Sequence, residues 1–208
     1  MREDDHDIKY SMDAQTIATY NDMAKEYDDE TIDFWERFPV GFVDEFCKNV
    51  QGKILDVGSG PGRDGVILKN RGLDVTCIDA SESMVAICKE RGLEAIVGDF
   101  AALPFEDGAF DGVWAYTSLL HVPKAEVGDS IEEIRRVLKD GGVFALGLIE
   151  GDLEGYRESS GVASSRWVSF YTVEEVQSLL KAHGFDVIHF ETFTPRTKRY
   201  LNFLARKV

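Results

Sequence analysis

Three glycines at alternate positions follow an acidic residue in the first third of the chain. Residues 54–65 read ILDVGSGPGRDG, so Asp56 stands near the end of an apolar run and the glycines occupy positions 58, 60 and 62. Glycine lets a backbone turn sharply and approach a ligand closely, and the N–H groups at a helix start can point at that ligand. The segment therefore predicts a strand, a tight turn and a helix that together bind a nucleotide-containing molecule.

The spacing of these glycines differs from the dinucleotide-binding fingerprint. That fingerprint, GxGxxG, requires a glycine at position 63, where the chain has Arg63. Asp56, just ahead of the glycines, would repel a phosphate and would suit a cationic ligand with an amino-acid end. On these residues alone, a Rossmann-like turn that binds NAD is a second interpretation.

The segment ILDVGSGPGRD, with VTCIDAS at positions 75–81, resembles the first motif and second strand of class I S-adenosylmethionine-dependent methyltransferases of the small-molecule type. The resemblance extends over residues 14–206. It implies S-adenosylmethionine as cofactor, S-adenosylhomocysteine as product, and in-line transfer of a methyl group to an O or N of a small-molecule acceptor. In this motif it implies the cofactor-binding residues Asp56, Gly58, Ser59, Gly60, Gly62 and Arg63.

Two later segments predict the rest of the cofactor site. Asp79 lies 21 positions after Gly58, where α/β nucleotide folds place a carboxylate on the ribose hydroxyls. Ala80 follows it, and Met84 on the next helix would pack against the adenine.

The resemblance also implies that Gly98, Asp99 and Phe100 bracket the adenine, with the Asp99 carboxylate on its exocyclic amine. A helix N-cap is the alternative role for Asp99.

Aromatic residues and a histidine are predicted at the methyl end of the cofactor. Tyr20 and Tyr27 fall in YNDMAKEY, which resembles the N-terminal helix that covers the cofactor in the family, although plain packing would explain them equally. Tyr116 ends the fourth predicted strand, and His121 follows in LLHVP. With an ordinary pKa of about 6.5, His121 is a candidate general base, and the alternative is a histidine that only fixes its loop.

No metal site is expected. The fourth strand ends in AYTS at positions 115–118, without the carboxylate that a Mg²⁺–catechol enzyme would need or the motif that holds a nucleobase.

The composition limits the kinds of binding partner and the cellular location that we expect. The net charge of −15 would repel a nucleic-acid backbone, and we interpret the one basic run, at positions 196–199, as a solvated turn. The three cysteines, 47, 77 and 88, lack CxxC spacing, which fits reduced thiols in a cytoplasmic protein. No apolar run reaches the ~18 residues of a membrane span. The sequence does not indicate an oligomeric state.

The chain predicts one domain over residues 1–208, an α/β fold with a Rossmann-like seven-stranded, mostly parallel sheet. Helices would cover both faces, and the last two strands would be antiparallel. Residues 1–50 would form a helical cap over the cofactor, 51–150 the cofactor-binding core, and 151–208 the acceptor loop with the final helix and strands. We interpret residues 150–167 as an irregular acceptor lid that carries Tyr156, Arg157, Arg166 and Trp167.

Two rival functions differ in class. One is an NAD(P)-dependent oxidoreductase, which Arg63 and the Asp99–Phe100 pair disfavour. The other is a non-catalytic module that binds S-adenosylmethionine but lacks an acceptor site. A thermal-shift comparison of NADH with S-adenosylmethionine distinguishes a methyltransferase from the oxidoreductase. Product formation on a metabolite panel distinguishes it from the non-catalytic module.

Overall fold

The computed structural model describes residues 12–35, 37, 39–159 and 162–208. The strands are β1 (Lys53–Val57), β2 (Asp74–Asp79), β3 (Glu94–Val97), β4 (Phe110–Tyr116), β5 (Leu138–Ile149), β6 (Glu154–Ser159), β7 (Val162–Ser169), β8 (Phe185–Phe193) and β9 (Tyr200–Lys207). The helices are α1 (Ala14–Asp22), α2 (Ala24–Glu30), α3 (Ile32–Trp35), α4 (Val40–Asn49), α5 (Arg63–Asn70), α6 (Glu82–Glu90), α7 (Val127–Val137) and α8 (Val173–Ala182), and a 3₁₀ turn spans Leu119–His121. Within this part of the chain, no helix is both long and apolar enough to span a bilayer.

Seven of the described strands form one sheet in the order β3-β2-β1-β4-β5-β9-β8. The first five are parallel, and β9 runs antiparallel to both of its neighbours. This confirms the predicted mostly parallel sheet with its antiparallel C-terminal pair. Because the strand order reverses between β1 and β4, a crevice opens beyond their carboxyl ends, where ligands bind in such folds.

Helices cover both faces of the sheet, as predicted. On one face α7 and α8 bury apolar stripes that include Ile131, Ile134 and Val176. On the other face α4 packs the rings of Phe42 and Phe46 against Trp114 of β4. Buried on both sides, the central strands are apolar along most of their length, as parallel strands in α/β proteins are.

The prediction of an irregular loop over residues 150–167 is wrong for most of that segment. β6 and β7 form an antiparallel hairpin, in which Tyr156 lies opposite Trp167 and Arg157 opposite Arg166. The tyrosine and tryptophan rings meet edge to face at 5.3 Å between centroids. The hairpin packs one side on α1 and the 3₁₀ turn and exposes the other, so its composition is polar although its structure is regular.

We predict that Phe46→Ala destabilises the fold by about 3–5 kcal/mol, because the buried ring leaves a cavity against Trp114. Val40→Ala, on the same helix but 55% exposed, should change stability by no more than about 0.5 kcal/mol. Urea unfolding followed by circular dichroism measures both. A cost below about 1 kcal/mol for Phe46→Ala would contradict the packing described for α4.

Candidate active site

A cavity of about 600 Å³ opens at the carboxyl ends of β1, β2 and β4. α1 and α2 and the hairpin strand β7 contribute its opposite wall. Ten of the predicted site residues line this cavity: Tyr20, Tyr27, Asp56, Gly58, Ser59, Gly60, Asp79, Met84, Tyr116 and His121. Of the described residues, six that were predicted do not line it: Gly62, Arg63, Ala80, Gly98, Asp99 and Phe100.

The glycine turn needs glycine for two different reasons. Gly58 has φ +66°, and a Cβ there would lie 2.3 Å from the Cβ of Ser118, so no side chain fits. Gly60 has φ +52° and no neighbouring atom within 4 Å of the position a Cβ would take. Because Gly60 also lines the cavity, this open space faces a prospective ligand.

Asp79 fixes the turn to the end of β2. Its two carboxylate oxygens each accept a backbone hydrogen bond, from Gly60 N–H and from Ser81 N–H, both at 2.8 Å. Burial raises the pKa of Asp79 to about 6. Each oxygen keeps acceptor capacity toward the cavity, since an ionised carboxylate can accept about four hydrogen bonds.

Two further carboxyl groups lie beneath the turn. Burial, and then the charge of Asp64, raises the pKa of Asp56 well above its ordinary value. Asp64 accepts a hydrogen bond from Trp114 Nε1 at 2.6 Å, and burial raises its pKa to about 7. Asp64 also lines the cavity, although it was not predicted as a site residue. Its position in the first turn of the helix after the glycines could have indicated this role. Together with Asp79, Asp56 and Asp64 place three carboxyl groups at this end of the cavity.

The side chain of Arg63, which was predicted to bind the cofactor, forms an ion pair outside the cavity wall. Its Nε donates to Asp28 Oδ1 at 2.7 Å, and Arg91 donates to the other oxygen at 2.5 Å. These ion pairs hold α5 and α6 against α2, the helix that carries Tyr27. Arg63 therefore positions a wall of the cavity without reaching it.

Asp99 and Phe100 lie beside the cavity and are almost fully buried. The Asp99 carboxylate accepts hydrogen bonds from the backbone N–H groups of Met12 and Ala101, at 3.3 and 2.8 Å. A turn follows Asp99, so the helix N-cap alternative is wrong.

The other predicted residues outside the walls are also packed. A Cβ on Gly98 would lie 2.7 Å from Ile78, and one on Gly62 would lie 2.8 Å from Cys88. Ala80 is buried.

His121 belongs to a chain of hydrogen bonds that crosses the cavity wall. Its Nδ1 lies 2.6 Å from the carbonyl oxygen of Trp167, which can only accept, so Nδ1 carries the proton. Nε2 therefore accepts from the Tyr20 hydroxyl at 2.7 Å, and that oxygen accepts from Arg166 Nη1 at 2.6 Å. Burial, with a smaller contribution from Arg166, lowers the pKa of His121 to about 4.

This geometry favours the alternative in which His121 fixes its loop. The nitrogen that would take a proton is already bonded to Tyr20, and burial holds the pKa of His121 below the ordinary histidine value of about 6.5. Burial, followed by the nearby Tyr27, raises the pKa of Tyr20, so its hydroxyl stays protonated at neutral pH.

The basic run at residues 196–199 is more than a solvated turn. Arg196, Thr197 and Lys198 line the cavity mouth, next to Arg157 of the hairpin. These residues were not predicted to belong to the site. A cluster of basic residues in a chain of net charge −15 could have indicated an anion-binding role. Among the described residues, no group of three or more His, Cys, Asp or Glu side chains is arranged to hold a metal ion.

The chain is similar to known methyltransferases. Residues 55–146 match the family model of a methyltransferase domain. A sterol 24-C-methyltransferase from Gibberella zeae is 33% identical over 160 residues, which cover 67% of this chain and 40% of that protein. An O-methyltransferase from Aspergillus sclerotiorum is 30% identical over 169 residues, 74% of this chain and 62% of that protein. The chain thus spans less than two thirds of the length of either relative.

The solved structure of a complex between DhpI and SAH is similar in fold. It superposes with a TM-score of 0.75 at 23% identity and covers 93% of this chain and 95% of its own.

We predict that His121 titrates near pH 4, measured by nitrogen NMR of its imidazole. Arg166→Gln should raise the midpoint, because it removes a nearby positive charge that opposes protonation. Lys181→Gln, on an exposed position of α8, should leave it unchanged. A wild-type midpoint near 6.5 would show that His121 is not buried within this hydrogen-bonded chain.

Proposed function

Because the chain belongs to the class I S-adenosylmethionine-dependent methyltransferases, we propose that it transfers the methyl group of S-adenosylmethionine to an oxygen or nitrogen of a small-molecule acceptor. One observation carries the proposal. A single cavity joins the glycine turn and Asp79 to an aromatic chamber around Tyr20 and His121, so a cofactor and an acceptor would share one enclosed space.

The cavity fits S-adenosylmethionine in three places. Asp79 would accept hydrogen bonds from the ribose hydroxyls with the acceptor capacity left beside its two backbone bonds. Met84, on the first turn of α6, gives the adenine an apolar surface. The carboxyl groups of Asp56 and Asp64 favour the positively charged amino end of the methionyl group.

The chain's own contribution to transfer would be mainly positioning. When bound, S-adenosylmethionine supplies a methyl group on a positively charged sulfur. Holding reacting atoms in line is worth roughly 7–11 kcal/mol. The rings of Tyr20 and Tyr27 pack edge to face at 5.4 Å, and the Tyr116 ring stacks between Trp114 and Tyr200. These rings form walls that carry no formal negative charge. A negative charge beside the sulfonium would stabilise the ground state of the reaction and so slow transfer.

We assign His121 a positioning role. Its bonds to Tyr20 and to the Trp167 carbonyl hold the 3₁₀ turn, α1 and β7 in register. His121→Asn, which can still hydrogen-bond, would then keep most of the turnover, whereas loss of a general base would lower the rate by about 10²–10⁴.

We also propose a cytoplasmic location and no nucleic-acid substrate. Cys47, Cys77 and Cys88 are free thiols, which suits a reducing compartment. The net charge of −15 opposes a phosphate backbone.

The proposal is tested by S-adenosylhomocysteine formation from S-adenosylmethionine on a panel of small acceptors, together with one variant. Gly60→Val should weaken S-adenosylhomocysteine binding by at least about a hundredfold, or about 2.7 kcal/mol, because its side chain would fill the open space at φ +52°. Gly41→Val, at a helical position with free space and no positive φ, is the control. Calorimetry on the folded proteins measures both, and normal binding by Gly60→Val would refute the cofactor site.

We predict a pH dependence of cofactor affinity that Asp79 causes. Only the ionised carboxylate accepts hydrogen bonds from both hydroxyls, so S-adenosylhomocysteine affinity should fall as pH decreases through about 6. Asp79→Asn should bind roughly tenfold to a hundredfold more weakly at pH 7.5 and lose this dependence. Asp64→Asn, which removes the group with a pKa of about 7, should keep the fall below pH 6. The same fall in Asp79→Asn would exclude Asp79 as its source.

A further inference from the structure

Resting on the proposed function, we propose that the methyl acceptor is an organic anion: a carboxylate on an apolar ring system, held by the buried Arg166 in the cavity wall and by Lys198 at the cavity mouth. The inference comes from the distribution of charge, since the acceptor side of the cavity is basic in a chain that is strongly acidic overall.

The charges divide between the two ends of the cavity. Three buried carboxyl groups lie beneath the glycine turn, on the cofactor side. The opposite side is lined by the basic side chains of Arg37, Arg157, Arg166, Arg196 and Lys198. Glu30 and Glu158 also reach this side, and both are exposed. Among the described residues that line this side, five are basic and two are acidic, whereas the whole chain has 23 basic and 38 acidic residues.

Arg166 and Lys198 occupy different depths. Arg166 is buried, donates to Tyr20 Oη and stands over the Tyr20 ring at 5.0 Å from its centroid. Lys198 is at the exposed mouth and, among the described residues, makes no ion pair with an acidic side chain.

The charge of Arg166 affects the pKa of Lys198, and both charges affect the pKa of His121. Desolvation and the charge of Arg166 lower the pKa of Lys198, and both cations help to lower the pKa of His121. Because both cations line the same cavity, each would attract an anion bound there.

The remaining walls on this side suit the body of such an anion. Phe34 and Tyr200 lie 5.4 Å apart between ring centroids, and Phe170 and Val168 of the hairpin segment face the same space. Planar apolar groups pack well against aromatic walls of this kind.

An anionic acceptor also explains why His121, the one histidine among the described lining residues, need not take a proton. The carboxylate oxygen forms the bond to the methyl carbon while the carbon–sulfur bond breaks, and that electron pair stays on sulfur. No proton leaves the acceptor, so the products are a methyl ester and S-adenosylhomocysteine. His121 can then keep its acceptor nitrogen bonded to Tyr20 throughout.

The experiment compares two probes that differ in charge but hardly in shape, naphthoate and naphthamide. The full chain is first titrated with S-adenosylhomocysteine, and the saturated protein is then titrated with each probe by calorimetry. Naphthoate should bind at least about tenfold more tightly than naphthamide, and added salt should weaken only naphthoate binding.

Variants assign the preference to its residues. Lys198→Gln, at an exposed position, should lose most of the preference, and Lys198→Arg should retain it. Lys181→Gln, an equally exposed substitution on α8 outside the cavity, should match the wild type.

Equal affinity for the two probes, binding of neither, or a full preference in Lys198→Gln would overturn the inference. The first titration reports on the proposed function alone: failure to bind S-adenosylhomocysteine refutes that function, whereas normal binding without a charge preference refutes only the anionic acceptor.

Discussion

The cavity depends on the hydrogen bonds that the buried carboxylate of Asp79 accepts from the backbone. By accepting from Gly60 and Ser81, the carboxylate ties the turn after β1 to the start of the segment after β2. The N–H groups of Gly58 and Ser59 reinforce the junction by donating to the Ile78 carbonyl. The segments that follow the neighbouring parallel strands β1 and β2 are thus hydrogen-bonded to each other. Their side chains therefore keep a fixed spacing beside the crevice.

The opposite wall depends on a second set of polar contacts. α1, the 3₁₀ turn and β7 are far apart in the chain, yet Tyr20, His121 and Trp167 connect them through successive hydrogen bonds. Trp167 N–H also donates to Thr16 Oγ1 at 2.9 Å. Because these groups are largely buried, losing one partner would leave another unsatisfied, which makes this wall sensitive to single substitutions.

The sequence was informative where the determinants are local. The turn at residues 54–65 and the carboxylate Asp79 at the end of β2 follow from residue type and short spacing, and the structure places Gly60 and Asp79 in the same cavity wall. The mostly parallel character of the sheet is typical of strands that alternate with helices along the chain. Two helix starts are equally local in origin: the Ser81 side chain caps α6, and Thr172 and Glu175 form a capping box at the start of α8.

The sequence was less informative where a residue's partner lies far away in the chain. Arg63 was predicted as a cofactor-binding residue, and its side chain pairs with Asp28, 35 positions earlier. The hairpin was missed because its order comes from packing on α1, which polar composition does not reveal. The role of the basic run at residues 196–199 likewise depends on a turn that brings it to the crevice. Nothing in the local spacing encodes these pairings.

The position of β9 has a consequence for how the molecule folds. β8 precedes β9 in the chain but joins the sheet only through it, since β9 lies between β5 and β8. The β5–β9 pairing joins residues as distant as Val143 and Arg206, so a long segment must be closed before that contact forms. The parallel strands β1, β2 and β3 need shorter closures. We therefore expect the parallel half of the sheet to nucleate first and the β8–β9 pair to dock as a preformed unit in the slowest step.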